Sequence, residues 1–341
     1  MKILLIGGTG FIGQFVVERL LQTGHKVTVL HRSARIAPAL GDGVRHILGD
    51  ANRLSVLRPQ LRELAPDVIV NFILSSGRQT EEMMRGLVGI TARVIVLSSM
   101  DVYRACGVLH ETESDALQEL PLTEESELRT QSAYTRQQME MGKRLFAWID
   151  DDYEKIAVER VALSNPNLSA TVLRLPMIYG PGDHLRFHRL YPVIKRIQDG
   201  RKRILFEEDA ARWRASKGYV ENVADVIVLA ATSDTPSGRI YNVAEEETLT
   251  ELEWAKLIAK EMDWQGEFVV LPTERTPAHL RSPGNLKQHW VASSKRLRQE
   301  LRYQERITRT EAVRNTVEWE LNNPPSQVPE GLFNYAAEDS A

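Results

Sequence analysis

The sequence lacks several features that mark specialised classes of protein. Cys106 is the single cysteine among 341 residues, which excludes an internal disulfide and a zinc site built from cysteines. No apolar run approaches the roughly 20 residues that a membrane-spanning helix requires. The apolar run that opens the chain leads straight into a glycine turn, unlike a secretory signal. We therefore expect a cytoplasmic protein without a membrane partner.

The chain also lacks a strong excess of either charge. The 43 lysines and arginines against 46 aspartates and glutamates give a formal net charge of −3, which disfavours a nucleic-acid partner. The apolar fraction of 43% and the charged fraction of 26% are typical of a globular protein. We expect a small-molecule substrate.

Glycine, in contrast, is concentrated near the N-terminus. An apolar run over residues 2–6 is followed by Gly7, Gly8, Gly10 and Gly13 and then by a helical pattern. In a dinucleotide-binding unit, such glycines make a tight turn, admit the pyrophosphate and let the helix pack on the strand. The helix N-terminus then faces the phosphates. A purely structural turn rarely needs four glycines spaced in this way.

The end of the second predicted strand, residues 26–30, bears on the choice of cofactor. An NAD site usually has Asp or Glu there to bind the ribose hydroxyls. This chain has no carboxylate over residues 31–35, but has Arg32, Ser33 and Arg35. Two guanidinium groups can grip a 2′-phosphate, so we expect NADP in preference to NAD. The alternative is that both arginines only solvate a loop.

Further predicted strands at residues 44–48, 67–72 and 93–97 alternate with helical patterns. This order predicts an α/β fold with a doubly wound parallel Rossmann sheet, whose ligands lie at the carboxyl ends of the strands. We expect the dinucleotide-binding domain to cover residues 1–175 and about 218–245. A smaller α/β substrate lobe is expected to cover about 176–217 and 246–330, followed by a loosely held tail at 331–341.

Five segments resemble the extended short-chain dehydrogenase/reductases, the group of NAD(P)-dependent nucleotide-sugar epimerases and dehydratases. They are the glycine turn at residues 7–13, Gly49-Asp50, the serine motif at residues 98–103, the segment 173–182 and the late strand 238–243. The resemblance runs from residue 1 to about residue 244. It implies reversible hydride transfer at nicotinamide C4 with an alcohol or ketone, and a homodimer.

The resemblance also implies roles for individual residues. By motif position, Ser99 orients the substrate oxygen. Lys155, from a K-x-x-x-E pattern, holds the nicotinamide ribose and lowers the pKa of a catalytic tyrosine. The cofactor contacts it implies, together with those expected from the residues themselves, are Gly7, Thr9, Gly10, Phe11, Ile12, Gly13, Arg32, Ser33, Arg35, Asp50, Ala51, Lys155, Pro176 and Ile178.

The tyrosine is where the pattern breaks. The position four residues before Lys155 is Asp151, whereas Tyr153 lies only two residues away. On a regular helix, Asp151 would pair with Lys155 and Tyr153 would point to the other side. Either residues 150–153 form a loop that lets Tyr153 reach the site, or the tyrosine role is lost or taken by Asp151. We favour Tyr153.

Other departures indicate an atypical member of that group. Bulky side chains at residues 71–74 replace the small residues that usually make room for the cofactor, and a charged segment at 132–150 precedes Lys155. A second hypothesis is therefore a catalytically silent dinucleotide-binding sensor or scaffold. Such a protein could be associated with RNA.

Substrate contacts are expected from the second lobe. His184 and His188 have the spacing of helical metal ligands, but no third ligand is evident, so we expect no metal and assign His184 to the substrate. Arg214 and Lys217 resemble the segment that holds a nucleotide-sugar diphosphate. The alternative for both is ordinary surface charge.

Helix signals complete the C-terminal half. Thr250 and Glu253 have the spacing of a capping box, and a last helix is expected over residues 311–321. Trp254 and Trp264 are expected in the core.

Overall fold

A seven-stranded parallel sheet forms the centre of the protein. The computed structural model describes residues 1–32, 40–146, 148–183, 188–234, 238–328 and 331–341. Ser33, Arg35 and His184 lie outside the described residues. Within them the strands are β1 (Lys2–Ile6), β2 (Lys26–His31), β3 (Arg45–Leu48), β4 (Val68–Asn71), β5 (Arg93–Ser99), β6 (Ser169–Leu175), β7 (Met177–Tyr179), β8 (Arg203–Glu207), β9 (Lys217–Tyr219), β10 (Ile240–Asn242) and β11 (Glu267–Leu271).

Helices connect these strands. The α-helices of the described residues are α1 (Gly13–Gln22), α2 (Leu54–Leu64), α3 (Gly77–Leu87), α4 (Arg104–Leu109), α5 (Arg136–Leu145), α6 (Lys155–Leu163), α7 (Tyr191–Gln198), α8 (Glu208–Arg212), α9 (Val220–Thr232), α10 (Glu251–Glu261), α11 (Lys295–Leu301), α12 (Arg309–Asn322) and α13 (Tyr335–Asp339). None of these helices has the length and apolar character needed to cross a bilayer.

The order of the central sheet is β3-β2-β1-β4-β5-β6-β10, and every pairing is parallel. Its inner strands are apolar on both faces because helices cover both sides. Helices α1 and α9 pack on one face, and α2, α3 and α6 pack on the other. The predicted doubly wound α/β fold is confirmed.

A second apolar core lies beyond the carboxyl ends of the sheet. It joins β7, β9, α7, α10 and α12, with Trp254 buried at its centre as predicted. Trp264 packs at its edge and donates its indole N–H to the Arg201 carbonyl at 2.7 Å. The chain returns from this core to the sheet through α9 and β10. The exact boundaries of the two lobes stay a prediction.

The structure confirms the predicted capping box but not the predicted loose tail. The Thr250 hydroxyl accepts from the Glu253 N–H, and the Glu253 carboxylate accepts from the Thr250 N–H. The expectation of a loosely held tail is wrong for residues 331–341. Glu338 of α13 is buried and pairs with Arg196 at 2.6 Å, so an internal ion pair holds the end of the chain in place.

Candidate active site

The glycine turn between β1 and α1 has the conformation that its sequence requires. Gly7 has a φ of +82°, a value that favours glycine, and donates its N–H to the Leu30 carbonyl at 3.2 Å. A Cβ at Gly13 would lie 2.4 Å from the Gly8 carbonyl, whereas a Cβ at Gly10 would meet no protein atom within 4 Å. The turn is therefore closed towards the protein and open at Gly10.

The start of α1 completes this cradle. Ile12 precedes the helix, and no side chain caps the N–H groups of the first turn. Gly10 is exposed, while Thr9, Phe11 and Ile12 are half-buried around it. Free N–H groups at a helix N-terminus favour phosphate. The residues present fit the pyrophosphate of a dinucleotide.

Bulky residues after β4 fit beside the turn because Gly7 has no side chain. The Ile73 Cγ2 atom lies 2.3 Å from the position that a Cβ on Gly7 would take. Asn71 is buried, and its side-chain oxygen accepts from the Ile73 N–H at 3.0 Å. The bulky side chains that mark this chain as atypical therefore fit beside the turn because residue 7 is a glycine.

The adenosine side of the cradle lies at the ends of β2 and β3. Asp50 is half-buried and accepts from the Asn52 N–H at 2.9 Å, capping a short 3-10 turn that begins at Ala51. β2 ends at His31, which is buried and bonded through its ring to His46 at 2.9 Å. Arg32 follows as an exposed residue.

Lys155 is the first residue of α6, so the residues before it are not helical. Glu154 is the N-cap, and its carboxylate accepts from the Ile156 N–H at 3.0 Å. The alternative in which Asp151 pairs with Lys155 on a regular helix is wrong, because Asp151 points outward and pairs with Lys143 at 2.6 Å. Side chains at positions i and i+4 are neighbours only on a helix, and Asp151 lies before the helix begins.

The Lys155 ammonium is directed into the protein instead. Its Nζ donates to the Leu74 carbonyl at 2.5 Å and to the Leu97 carbonyl at 3.1 Å, and lies 5.3 Å from the centre of the Trp148 ring. Burial lowers the pKa of Lys155 to about 8. Leu74 lies three residues after β4 and Leu97 lies near the end of β5, at the edge where a doubly wound sheet binds its ligands.

Tyr153 meets this strand end from the loop before α6. Its hydroxyl donates to Asp101 Oδ2 at 2.7 Å, and the Tyr134 hydroxyl donates to the same oxygen at 3.2 Å. The Ser99 hydroxyl accepts from the Asp101 N–H at 3.1 Å. Asp101 therefore joins Ser99 to Tyr153 through one backbone and one side-chain hydrogen bond.

Sequence reasoning missed Asp101 and Tyr134. Asp101 stood within the serine motif and could have been noticed as a carboxylate at the end of a predicted strand. Tyr134 carried no comparable signal, because it lies inside the charged segment at 132–150, just before α5. Only the packing of that segment places its ring 6.0 Å from the Tyr153 ring, in an edge-on arrangement.

Arg129 holds the two sides of this arrangement together. Its Nε donates to the Asp101 carbonyl at 2.8 Å, and its two terminal nitrogens each contact the Glu154 carboxylate at 2.8 Å. The bidentate geometry fixes both groups. Arg129 thus ties Asp101, two residues after β5, to the N-cap of α6.

A second ion pair lies beneath the site. Glu159, the acidic residue of the K-x-x-x-E pattern, pairs with Arg174 at 2.7 Å and accepts from the Ser98 hydroxyl at 2.6 Å. Arg174 also donates to the Tyr103 hydroxyl at 2.9 Å. All four side chains are buried. This network fixes α6 and β6 against the end of β5.

The expected substrate residues of the second lobe occupy different environments. Lys217 is buried, pairs with Glu251 and lies 5.1 Å from the centre of the Trp254 ring. Burial lowers the pKa of Lys217. Arg214 is exposed, and its N–H donates to His289 at 3.3 Å. The Lys217 charge is thus already paired within the lobe, whereas Arg214 faces solvent.

Pro176 and Ile178 connect the sheet to the second lobe. Both are half-buried, and the Ile178 carbonyl accepts from Arg189 Nε at 3.1 Å. Burial lowers the pKa of Arg189, while Asp183 and Glu251 act in the opposite direction.

Of the histidine pair, the structure describes His188. His188 is buried and bonded to Glu320 at 2.6 Å, and its ring stacks on Trp319 at 5.8 Å. No group of three or more His, Cys, Asp or Glu residues suited to a metal occurs among the described residues.

Three curated proteins match parts of this chain. One is the chloroplast stem-loop binding protein of 41 kDa b from Arabidopsis thaliana, 30% identical over 130 residues, which are 34% of this chain and 34% of that protein. Another is a UDP-glucose 4-epimerase from Neisseria meningitidis, 34% identical over 94 residues, which are 25% of this chain and 28% of that protein. The matches thus span about a third of each relative or less.

Solved structures share the fold over nearly the whole chain. A dTDP-glucose 4,6-dehydratase from Bacillus anthracis in complex with NAD superposes with a TM-score of 0.67 at 18% identity, covering 95% of this chain and 97% of that chain.

The profile of the NAD dependent epimerase/dehydratase family matches residues 3–244. That range runs from β1, through the glycine turn and the site around Asp101, to the end of β10. The match confirms the resemblance read from the motifs and the class of enzyme that it implies. The chain belongs to the NAD dependent epimerase/dehydratase family.

Proposed function

We propose that this protein is an NAD(P)-dependent oxidoreductase, epimerase or dehydratase that acts on an alcohol or ketone. The observation that carries the proposal is the meeting of Ser99, Tyr153 and Lys155 at the carboxyl end of β5, beside an open glycine cradle. A bound nicotinamide supplies reversible hydride transfer at C4. A nucleotide sugar is the substrate class to test first.

Each of the three side chains has a role in this proposal. Ser99 orients the substrate oxygen with its hydroxyl. Tyr153 exchanges a proton with that oxygen, since this residue is half-buried at the strand end. Lys155 holds the nicotinamide ribose near the end of β5, where its Nζ contacts the Leu74 and Leu97 carbonyls. The cradle from Gly7 to Gly13 holds the pyrophosphate, and Asp50 with Ala51 borders the adenosine.

We propose NADP as the preferred cofactor. No carboxylate follows β2 where an NAD site usually has one, and Arg32 is exposed at that point. An Arg32→Asp variant is expected to weaken NADPH binding and to leave NADH binding unchanged or stronger. Fluorescence titration with both reduced cofactors measures the two dissociation constants. Equal affinities of the unaltered protein for NADPH and NADH would contradict the preference.

For substrate contacts we propose Arg214 on the exposed rim of the second lobe. Lys217 is better suited to holding Glu251 and Trp254 in position, because its charge is paired. A homodimer and a cytoplasmic location also remain proposals.

Turnover tests the proposal directly. The protein is incubated with NADP⁺ or NAD⁺ and with UDP-glucose or dTDP-glucose, and products are separated by anion-exchange chromatography, because an epimerase returns the hydride and leaves no net absorbance change. Ser99→Ala and Tyr153→Phe are expected to abolish turnover while cofactor binding persists. Tyr335→Phe, which removes a hydroxyl bonded to Asp199 on the surface, is the matched control.

A second candidate is a nucleic-acid-binding protein without turnover. The relative named as a stem-loop binding protein favours it, whereas the net charge of −3 does not. Gel-shift titration with an RNA stem-loop at about 150 mM salt tests it. Binding that competes with NADPH, together with no turnover of any sugar nucleotide, would place this candidate first.

A further inference from the structure

The carboxylate of Asp101 is the most enclosed charged group near the proposed reacting centre. The residue is 1% exposed. Its Oδ2 accepts from Tyr153 and from Tyr134, whereas its Oδ1 is buried without a hydrogen-bond partner. A buried acceptor without a donor costs free energy of folding, so its presence in a folded protein calls for a functional explanation. Oδ2 is therefore the oxygen that faces the Tyr153 proton, while Oδ1 has no donor to stabilise the ionised carboxylate.

The hydrogen bond from Tyr153 to Asp101 sets the state of the phenol. The Tyr153 proton is shared with a carboxylate, while the Lys155 ammonium is engaged by two backbone carbonyls. Burial and the neighbouring Asp101 raise the pKa of Tyr153 well above its usual value. The arrangement opposes the phenolate that the family resemblance implies, because a carboxylate repels a second negative charge beside it.

A phenol that donates to a carboxylate can still accept a proton from a substrate. Its oxygen retains lone pairs for a substrate hydroxyl, and its own proton can move to Asp101 at the same time. Such a transfer never requires a free phenolate. A carboxylate with a raised pKa is a suitable final acceptor for this proton. Burial raises the pKa of Asp101, even though the nearby Arg129 opposes this.

We propose that Asp101 is the proton acceptor of the reaction and works through the Tyr153 hydroxyl as a positioning residue. This inference rests on the proposed function. In the oxidation direction, the substrate O–H bond breaks and its proton passes to Tyr153 Oη, while the Tyr153 proton passes to Asp101. The carbinol C–H bond breaks with its electron pair, which leaves as hydride to the oxidised nicotinamide, and the C=O bond forms. The reverse sequence returns the proton.

Tyr134 has a supporting role in this arrangement. Its hydroxyl donates to the same Asp101 oxygen at 3.2 Å, so it keeps the carboxylate oriented when the Tyr153 proton moves. The other ionisable groups around Asp101 are Arg129, Lys155, Glu154, His110 and Cys106. Arg129 and Lys155 favour the ionised carboxylate, Glu154 opposes it, and burial lowers the pKa of His110 and raises that of Cys106.

Tyrosine ionisation tests the proposal without any substrate. Phenolate absorbance at 295 nm is followed from about pH 6 to about pH 11, for the protein saturated with NADP⁺ and for the free protein. We expect no phenolate below about pH 10. In Asp101→Asn the carboxylate charge is gone, so the curve is expected to move to lower pH. Asp152→Asn removes an exposed carboxylate next to Tyr153 and is expected to leave the curve unchanged.

Two results would overturn the proposal. One is phenolate absorbance near neutral pH in the unaltered protein, and the other is an Asp101→Asn curve that matches the unaltered one. If Asp101→Asn fails to fold, the difference between the unaltered protein and Tyr153→Phe reports the pKa of Tyr153 itself. A value below about 9 would then refute the proposal.

Turnover separates this inference from the proposed function. With an active sugar nucleotide, Asp101→Asn is expected to lower kcat about 100-fold or more while KM and cofactor affinity stay within about twofold. Equal kcat values for Asp101→Asn and the unaltered protein would overturn the relay alone. Absence of turnover in the unaltered protein would overturn the proposed function, and the phenol titration would still decide the state of Tyr153.

Discussion

At the scale of single residues, two glycines of one turn have opposite surroundings. A methyl group on Gly13 would lie 2.4 Å from the Gly8 backbone, whereas a methyl group on Gly10 would meet open space. Gly13 is therefore needed by the fold, whereas Gly10 borders the open space where we propose that the pyrophosphate binds. Their substitutions should separate stability from cofactor binding.

Gly13→Ala is expected to destabilise the protein by about 1–3 kcal/mol, since backbone atoms must move to admit the methyl group. Gly10→Ala is expected to leave the melting temperature of the free protein unchanged and to weaken NADPH binding about tenfold, because the methyl group enters the cradle. Thermal unfolding and fluorescence titration measure the two effects. A Gly10→Ala protein with unchanged affinity would show that the pyrophosphate lies elsewhere.

Lys155 predicts a pH dependence of cofactor binding. With a pKa of about 8, the ammonium is charged below this pH and loses its proton as the pH rises through it. The dissociation constant of NADP⁺ is expected to increase about three- to tenfold between about pH 7 and about pH 9, because a neutral amine binds the anionic cofactor less well. Lys155→Met should bind weakly at both pH values. A flat profile in the unaltered protein would contradict the assignment.

At the scale of secondary-structure elements, ion pairs decide how α6 meets the sheet. Arg129 joins Glu154, at the start of α6, to Asp101, which follows β5. Glu159 joins the middle of α6 to Arg174 of β6. The first pair is partly open to solvent, but both side chains of the second are almost fully buried. The second should therefore matter more to stability.

Glu159→Gln is expected to lower the free energy of unfolding by about 3 kcal/mol, since it leaves the Arg174 charge buried without a counter-ion. Urea titration measures the change. Glu82→Gln is the matched control, because its partner Arg85 is 71% exposed in its side chain and such pairs contribute less than about 1 kcal/mol. Similar losses in the two variants would mean that burial of the pair is unimportant.

At the scale of the whole molecule, the C-terminal segment packs on the second lobe, against residues that are distant from it in sequence. Arg196 of α7 pairs with Glu338 of α13, and the Glu338 carboxylate is also 3.1 Å from His279. Both members of the pair are buried. The end of the chain is thus part of the folded lobe.

Glu338→Gln is expected to lower the melting temperature by several degrees, because Arg196 would keep a buried charge without a carboxylate. Cofactor affinity should stay unchanged, since the cradle belongs to the other lobe. Glu318→Gln, at an exposed position of α12, serves as the control in thermal unfolding. A melting temperature equal to that of the control would show that the pair contributes nothing.

The sequence predicted most of the sheet because its strands are buried on both faces. Runs such as residues 94–97 are apolar throughout, so they indicate parallel strands without knowledge of their neighbours. It also placed Ser99 at a strand end. It left open where α6 begins, because that start depends on the Glu154 N–H bonding to the Ser75 carbonyl at 2.8 Å and on its carboxylate bonding to Arg129. Both partners are distant in sequence.

The sequence by itself determined the glycine cradle, the parallel order of strands and the presence of Ser99 and Lys155 at one edge of the sheet. These follow from local conformation and burial, which neighbouring residues specify. The tertiary structure alone decided that Asp151 faces Lys143 and that Tyr134 and Tyr153 face Asp101. The two tyrosine contacts join side chains 33 and 52 positions apart in one buried site, and no short-range pattern encodes them.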